Sequence, residues 1–310
     1  MNKKLAIVSL SLTFLFIFII GGISIYLLTD YGYTIFCLSP ILLGFIPPYI
    51  YGKKQTITKT QSYSLSFLTL TIICFGLLIF AIEGLICIAM SLPLAIPLIF
   101  LGSYWGFKIN EKKWINPTNT KIGIILLCLT SVGFDSIKNN EILIPVQTTV
   151  IVNAPIQKVW INVVTFGKIK EPTDWIFKTG ISCPTDATIK GTGVGAIRYC
   201  NFTTGSFIEP ITMWNEPELL QFNVTQQPIP MNEMNPFWDI QPPHLKNHFL
   251  SKRGQFKLIK KNEKQTELEG TTFYELHILP KKYWKIWSDF IIHRIHKRVL
   301  NHIKTESEKL

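Results

Sequence analysis

No arginine precedes Arg198 and no histidine precedes His244, and only four acidic residues, Asp30, Glu83, Glu111 and Asp135, occur in the first 135 positions. A proton or ion path through apolar helices needs partnered ionisable groups. Glu83 lies in an apolar stretch with no Asp, Arg or His in the others, which argues against a transporter. It is expected instead as a protonated group hydrogen-bonded between helices. The six cysteines include no Cys-x-x-Cys pair. Cys37, Cys74, Cys87 and Cys128 fall in apolar runs, where a thiol behaves as a small hydrophobe. Cys183 and Cys200 could be joined only in an oxidising compartment. No Gly-Lys-Ser/Thr phosphate loop, His-Glu-x-x-His pair or nucleophile elbow is present. Nor is there a basic run or DNA-reading motif, so the net charge of +11 does not point to nucleic acid.

What the chain has is a single change of character near Asp135. Before it, apolar runs dominate and lift the mean hydropathy of the whole chain to +0.27. Residues 1–135 read as an all-α transmembrane domain with spans at about 5–28, 33–51, 65–90, 92–109 and 121–134. The first lacks a small-residue cleavage site and is followed by further spans, so it reads as an anchor. Lys3 and Lys4 precede it, Lys53, Lys54 and Lys59 follow the second, and Lys108, Lys112, Lys113 and Lys121 follow the fourth. Lysine marks the cytoplasmic side. The turns at Asp30 and Ser91 then lie outside. The span at 121–134 is short against the minimum of about 17 residues. If it crosses, as expected, residues 145–310 lie outside, in the periplasm of a Gram-negative cell; if it lies in the interface, they lie inside.

Residues 136–310 carry 22 Lys and Arg against 16 Asp and Glu. That excess favours an anionic membrane surface over nucleic acid as neighbour. Val146–Val152 alternates and is β-branched, which predicts a strand. Asn153-Ala154-Pro155 predicts a helix start capped by Asn153, and Pro172 opens a short second helical piece. Gly191, Gly193 and Gly195 lead into a strand at 196–203 rather than a helix, so they read as a turn. Further strands are predicted at 207–214, 219–225, 254–260 and 267–278. Between two of them, residues 226–250 form a long Pro-rich excursion with Phe237 and Trp238 as aromatic anchors; a loop of that length suits a lid or a functional element. Residues 281–305 predict an amphipathic helix with the stripe Trp284, Trp287, Ile291, Ile295, Val299. The order implies a curved antiparallel sheet wrapped around one long C-terminal helix, an α+β arrangement.

That order, with Val-Asn-Ala-Pro-Ile-Gln-Lys-Val-Trp at 152–160, resembles the START-like superfamily, which includes the polyketide cyclase/dehydrase and lipid-transport domains. Gly-Val-Gly-Ala-Ile-Arg-Tyr-Cys at 193–200, Phe-Ile-Glu-Pro-Ile-Thr-Met-Trp-Asn-Glu-Pro at 207–217, Glu-Gly-Thr-Thr-Phe-Tyr-Glu-Leu at 269–276 and the terminal helix carry the same resemblance. The whole chain resembles a multi-pass membrane branch of it. The resemblance implies a helix-grip fold with a cavity between the sheet and the terminal helix. It does not fix one chemistry, because such folds bind lipids, cyclise polyketides or sense ligands.

Arginine is used at only four positions, 198, 253, 294 and 298, in a chain otherwise supplied with lysine. Such sparing use suits places that need a planar fork on a carboxylate or phosphate. Structural ion pairs with Glu209, Glu269, Glu275 or Asp289 are the alternative. The candidate ligand-binding set is Arg198, Glu209, Arg253, Tyr274, Trp284, Trp287, Ile291 and Arg294. Candidate acid–base groups are Glu209, Tyr274 and Asp174, with Glu209 sharing a strand face with Phe207, Ile211 and Met213. The pairs His293/His296 and His244/His248 have helical spacing but no accompanying Cys, and no metal or cofactor is expected. The expected partner is a hydrophobic small molecule or lipid, and the membrane itself. A cyclase-like enzyme and a sensory or scaffold protein remain as alternatives.

Overall fold

The computed structural model describes residues 2–27, 31–112, 117–135 and 142–309; the expected Asp30 turn and Lys113 lie outside them. The chain divides into two compact units. The first comprises Met1–Asn140 with Glu233–Pro242 and Ile278–Tyr283, and the second comprises Glu141–Asn232, Pro243–His277 and Trp284–Leu310. Two short segments distant in sequence therefore group with the N-terminal helices.

In the first unit, α1 (Lys3–Gly22), α2 (Ser39–Gly52), α3 (Lys59–Ile79), α4 (Leu85–Lys112) and α5 (Pro117–Asp135) follow one another, with a π-helical turn at Thr34–Leu38 leading into α2. Four helical stretches, Lys3–Ile25, Thr34–Gly52, Lys59–Ile79 and Leu85–Glu111, are long and apolar enough to cross a membrane. The third and fourth depart from the expected boundaries. The break falls at residues 80–84, where Ala81 has φ 56°, and Ser91 lies inside α4 with its hydroxyl donating to the Ile88 carbonyl. Glu83 consequently sits in a turn between helices rather than deep in a span. A hydropathy window cannot see this break, because the turn residues Phe80, Ala81 and Ile82 are themselves apolar.

Small residues bring α2 and α4 together. A Cβ at Gly44 would collide with the backbone oxygen of Ile99, and one at Gly102 with that of Ile41. Gly106 lies against Phe45 less tightly, though a Cβ there would still meet its backbone oxygen. Gly102 and Gly106 are thus a small-xxx-small pair that lets backbones touch, the usual device where lipid removes any hydrophobic drive for helix association. Pro48 has no N–H, so the Gly44 carbonyl loses its helical donor; the Ser66 hydroxyl replaces it at 2.7 Å. Ser62 and Ser103 hydroxyls meet at 2.9 Å across α3 and α4. At the far end of α5, the Asp135 carboxylate accepts from Tyr33 N and Thr34 N at 2.7 and 2.8 Å, filling two donors that a helix start leaves open.

In the second unit seven strands form one curled antiparallel sheet: β1 (Ile144–Val152), β2 (Pro184–Lys190), β3 (Ile197–Phe202), β4 (Gly205–Asn215), β5 (Leu219–Asn223), β6 (Phe249–Asn262) and β7 (Gln265–Leu276), in spatial order β1-β7-β6-β5-β4-β3-β2. Between β1 and β2 lie α6 (Ile156–Val164) and the single turn α7 (Trp175–Lys178); the short α8 (His244–Asn247) precedes β6, and α9 (Lys281–Ser307) closes the chain. Strand β2 is one that the sequence pattern does not predict. Helix α6 starts later than expected, because Pro155 occupies the N-cap position while Asn153 donates its N–H to Glu308 Oε1 at 2.7 Å. Gly191, Gly193 and Gly195 all have positive φ and form the turn into β3.

Residues of alternate parity on the strands, α6 and the last turns of α9 build one core: Val152, Val159, Trp160, Val163, Ile211, Leu220, Leu268, Val299, Leu300 and Ile303 are among its members. The stripe expected on α9 is corrected in part. Trp284 and Val299 are buried, but Trp287, Ile291 and Ile295 are only half-buried, and Ile292, Leu300 and Ile303 carry the contact instead. The helix turns a polar line toward the sheet midway along its length, so apolar spacing alone picks the neighbouring face. Met213 also leaves the face assigned to it. A bulge between Ile211 and Met213 shifts the register, so Met213 is exposed and Trp214 packs on the core.

Candidate ligand site

Arg198 on β3 and Glu209 on β4 are directly opposed in the sheet register and both point into the core. Arg198 is 1% exposed and Glu209 5%, which makes them a buried ion pair in which the guanidinium Nη1 donates to Glu209 Oε2. The guanidinium carbon lies 5.6, 5.5 and 5.4 Å from the ring centres of Phe166, Phe222 and Phe256. Such stacking recovers about 0.5–2 kcal/mol per ring when the cation is desolvated. Burial pushes the Glu209 carboxyl upward, and the Arg198 charge works against that push. The Cys200 thiol beside them is pushed up to about 12, first by burial; Cys183 and Cys200 are both free thiols. Arg198 Nε and Nη2 find no oxygen or nitrogen acceptor among the described residues, and the Cys200 thiol is the one further polar group that interacts with the guanidinium. A buried guanidinium normally fills its five donors, and each empty one costs desolvation energy.

A second polar set runs along α9. Tyr274 on β7 is fully buried and donates to Asp289 Oδ1 at 2.8 Å, while Lys285 pairs with the other oxygen of Asp289. Burial, then the Asp289 hydrogen bond, holds the Tyr274 phenol far above its ordinary value. One turn further, Thr148 Oγ1 on β1 lies 2.8 Å from His293 Nδ1 and 3.1 Å from His296 Nδ1, and Thr272 Oγ1 lies 2.8 Å from His296 Nε2. The two hydroxyls hold His296 from both sides. Burial, followed by the neighbouring His293, lowers its pKa to about 4. Beside this set, Gln147, Thr148, Thr149, Phe290, His293, Arg294 and Lys297 line a largely open groove of about 480 Å³ between β1 and α9, and neither Arg198 nor Glu209 is among its lining residues.

His296 makes the stability of this unit sensitive to acid. An unfolded imidazole titrates near 6.5, so folding disfavours the protonated ring. Stability is therefore full above about pH 6.5 and declines as the pH falls toward 4, by about 3 kcal/mol at most. Thermal unfolding of the wild-type chain and of His296→Gln at pH 7 and pH 4.5 checks this. The wild type is expected to lose more stability on acidification than the variant, and equal losses would contradict the assignment.

The residues nominated from sequence divide into groups. Arg198 and Glu209 come together at the centre of the sheet. Tyr274, Trp284, Trp287 and Ile291 belong to the interface of β7 with α9 or to α9 itself. Arg294 pairs with Asp174 at 2.8 Å on the flank of α9. Arg253 lies on the other face of the sheet, stacked on Phe273 with its guanidinium carbon 4.2 Å from the ring centre. Strand alternation puts it opposite to Phe256 and Tyr274. The acid–base candidates Glu209, Tyr274 and Asp174 thus engage three different partners and do not meet one another. Sequence reasoning missed Thr148 and Thr272, and offered Asp289 as an arginine partner whereas it engages Tyr274 and Lys285. The available signal was parity, since Thr148 is a polar residue at an inward position between Val146 and Val150.

No family model matches the chain, and no curated protein matches its sequence. Among solved structures, similarity is found to truncated norcoclaurine synthase from Thalictrum flavum (10% identity, 56% of this chain and 99% of that one, TM-score 0.36). The Zhui aromatase/cyclase from Streptomyces sp. R1128 is similar at 12% identity, over 54% of this chain and 94% of that one, with TM-score 0.35. A Thermobifida fusca protein is similar at 16% identity over 53% and 92%, with TM-score 0.32. The fold itself is read from this chain: a curled seven-stranded antiparallel sheet, two helices between β1 and β2, and one long terminal helix packed on the sheet. The second unit has a helix-grip fold. Helix-grip architecture explains why the polar groups of β3, β4 and β7 face α9 rather than solvent.

Proposed function

We propose that the chain is an integral membrane protein whose helix-grip unit binds a hydrophobic ligand of lipid, isoprenoid or polyketide type by a polar end. One observation carries the reading: a fully buried arginine with two of its three guanidinium nitrogens, Nε and Nη2, left without an oxygen or nitrogen acceptor after its single carboxylate partner. A carboxylate, phosphate or carbonyl on an otherwise apolar molecule would fill them. The rings of Phe166, Phe222 and Phe256 around the guanidinium suit an apolar body beside that group.

Four helices of spanning length support membrane residence. Lysine placement supports an outer position for the helix-grip unit. Lys3, Lys4, Lys53, Lys54, Lys59 and Lys108 mark one end of the helices. The other end carries Tyr31, the turn at 80–84 and Asp135, and there Leu279 N donates to the Tyr31 carbonyl at 2.9 Å and Leu85 N to the Met234 carbonyl at 2.8 Å. Segments from the C-terminal half of the chain therefore belong to the lysine-poor end, the outer one by the charge rule. The assignment requires α5 to run from the lysine-rich end to the end that carries Asp135 and Tyr33.

The test is native mass spectrometry of the detergent-purified full chain and of Arg198→Lys. Lysine keeps the charge and loses the planar fork, so ligand occupancy is expected to fall while the unfolding temperature stays near that of the parent. Unchanged occupancy in a folded Arg198→Lys chain would contradict the role assigned to Arg198.

A further inference from the structure

The middle of the Pro-rich excursion carries an apolar surface that ligand binding leaves unused. Within the first unit, Glu233–Pro242 is fastened to the end of the α3–α4 hairpin. Glu233 accepts from Ile86 N and Cys87 N at 3.2 and 3.1 Å and so caps α4, and Gly84 leaves the room that carboxylate needs. Asn235 Nδ2 donates to the Leu78 carbonyl at 3.0 Å, and Trp238 Nε1 donates to the Ile79 carbonyl at 2.8 Å. Both carbonyls belong to the last turn of α3, where the i+4 helical donors run out. Despite this fastening, Phe237 and Trp238 are each more than half exposed, and so is Phe80 at the end of α3; Ile79 and Met234 are exposed as well.

Exposed aromatic rings at the end of an apolar helix are what a membrane–water interface selects: the ring sits among headgroups and upper acyl chains, and the indole N–H keeps a polar partner. Backbone satisfaction fits the same surroundings. The N–H groups of Phe237 and Trp238 both donate to Asn235 Oδ1, at 2.9 and 3.2 Å, so the tip does not rely on water for them. Charge narrows the partner. Residues 233–242 contain Glu233 and Asp239 and no Lys or Arg, which suits zwitterionic rather than anionic headgroups.

We propose that Met234, Phe237 and Trp238, with Ile79 and Phe80, form a lipid-facing surface that lies in the interfacial layer of a zwitterionic bilayer. The proposal rests on the membrane reading above and adds that a segment from within the helix-grip sequence touches lipid directly. It would give the excursion a role as an interfacial anchor instead of a solvent-facing lid.

The test uses the full chain in phosphatidylcholine vesicles whose acyl chains carry bromine either near the headgroup or near the chain middle. Subtracting the fluorescence of Trp238→Phe from that of the parent isolates Trp238, and Trp105→Phe isolates Trp105, an exposed residue of α4. Trp238 emission is expected to be lost more to shallow bromine than to deep bromine, and to be shielded from aqueous iodide. Emission indifferent to both lipids and quenched by iodide, with Trp105 still quenched by lipid, would overturn the anchor while leaving the membrane reading intact. Trp105 and Trp238 both indifferent to lipid would overturn both. Phe237→Trp supplies a second reporter at a side chain with no hydrogen bond to lose, and it must show the same shallow quenching; indifference there would also sink the proposal.

Discussion

Arg198→Met is expected to lower the stability of the helix-grip unit by about 3–5 kcal/mol at neutral pH, the cost of leaving one member of a buried ion pair alone. Glu209 would then be a carboxylate 5% exposed with its Arg198 partner gone. It can escape that cost only by taking a proton. The loss should therefore shrink as the pH falls, because a protonated Glu209 needs no counter-ion. Replacing both residues, as Arg198→Met with Glu209→Leu, is expected to recover most of the stability, since an apolar pair of similar volume often does as well as a buried ion pair. Thermal unfolding of the two single variants and the double variant forms a double-mutant cycle that measures the coupling. Additive losses would mean that the two side chains are not coupled and do not form the buried pair. Recovery of stability without recovery of ligand occupancy would separate the structural role of the pair from its binding role.

Gly102→Leu is the second change with a large expected effect, and it acts in the other unit. The added Cβ would overlap the backbone oxygen of Ile41, and neither α2 nor α4 can yield locally because the obstacle is main chain. The helices must separate, which breaks the neighbouring contacts at Gly44 and Gly106 as well. A loss of roughly 3 kcal/mol or more is expected, at or beyond the top of the usual range for overpacking. Gly123→Leu in α5 is the control, because a Cβ there meets nothing within 4 Å. Size-exclusion profiles and thermal unfolding in detergent should show Gly102→Leu aggregated or strongly destabilised and Gly123→Leu near the parent. Equal behaviour of the two would contradict the α2–α4 packing.

Much of the helix-grip unit was legible because strand alternation and β-branched runs report burial directly. β1, β3, β4, β5 and β7 fall close to where Val146–Val152 and the later alternating runs put them. β2 was not legible: Pro184-Thr-Asp-Ala-Thr-Ile-Lys reads as polar, and its buried residues, Pro184 and Ala187, are three apart and too small to mark a period of two. The bulge after Ile211 was invisible for a different reason. One extra residue in a strand changes the face of everything beyond it, and nothing local in Ile-Thr-Met-Trp announces it.

At the candidate site, the rarity of arginine pointed to Arg198, and Glu209 was one of four carboxylates offered as structural ion-pair partners; the register of β3 on β4 selects it. The grouping of Arg253 and Arg294 with them failed to follow, because sequence gives no information on which sheet face or helix flank a residue joins until the register is known. The polar line Asp289, His293 and His296 was the least expected feature. Helical spacing alone makes His293 and His296 a conceivable metal pair, whereas the structure gives both rings a threonine hydroxyl. In the first unit, hydropathy found the helices but could not place the α3–α4 turn. What marks that turn is Glu233, far along the chain, whose carboxylate caps α4.

The ligand reading stands or falls on what the intact protein carries. Native mass spectrometry of the wild-type full chain, released gently from detergent, measures this whatever the identity of the ligand. One hydrophobic molecule bearing a carboxylate, phosphate or carbonyl is expected per chain, lost on Arg198→Lys. A chain that flies at its bare mass under conditions that preserve its fold, with Arg198→Lys indistinguishable from it, would contradict the account.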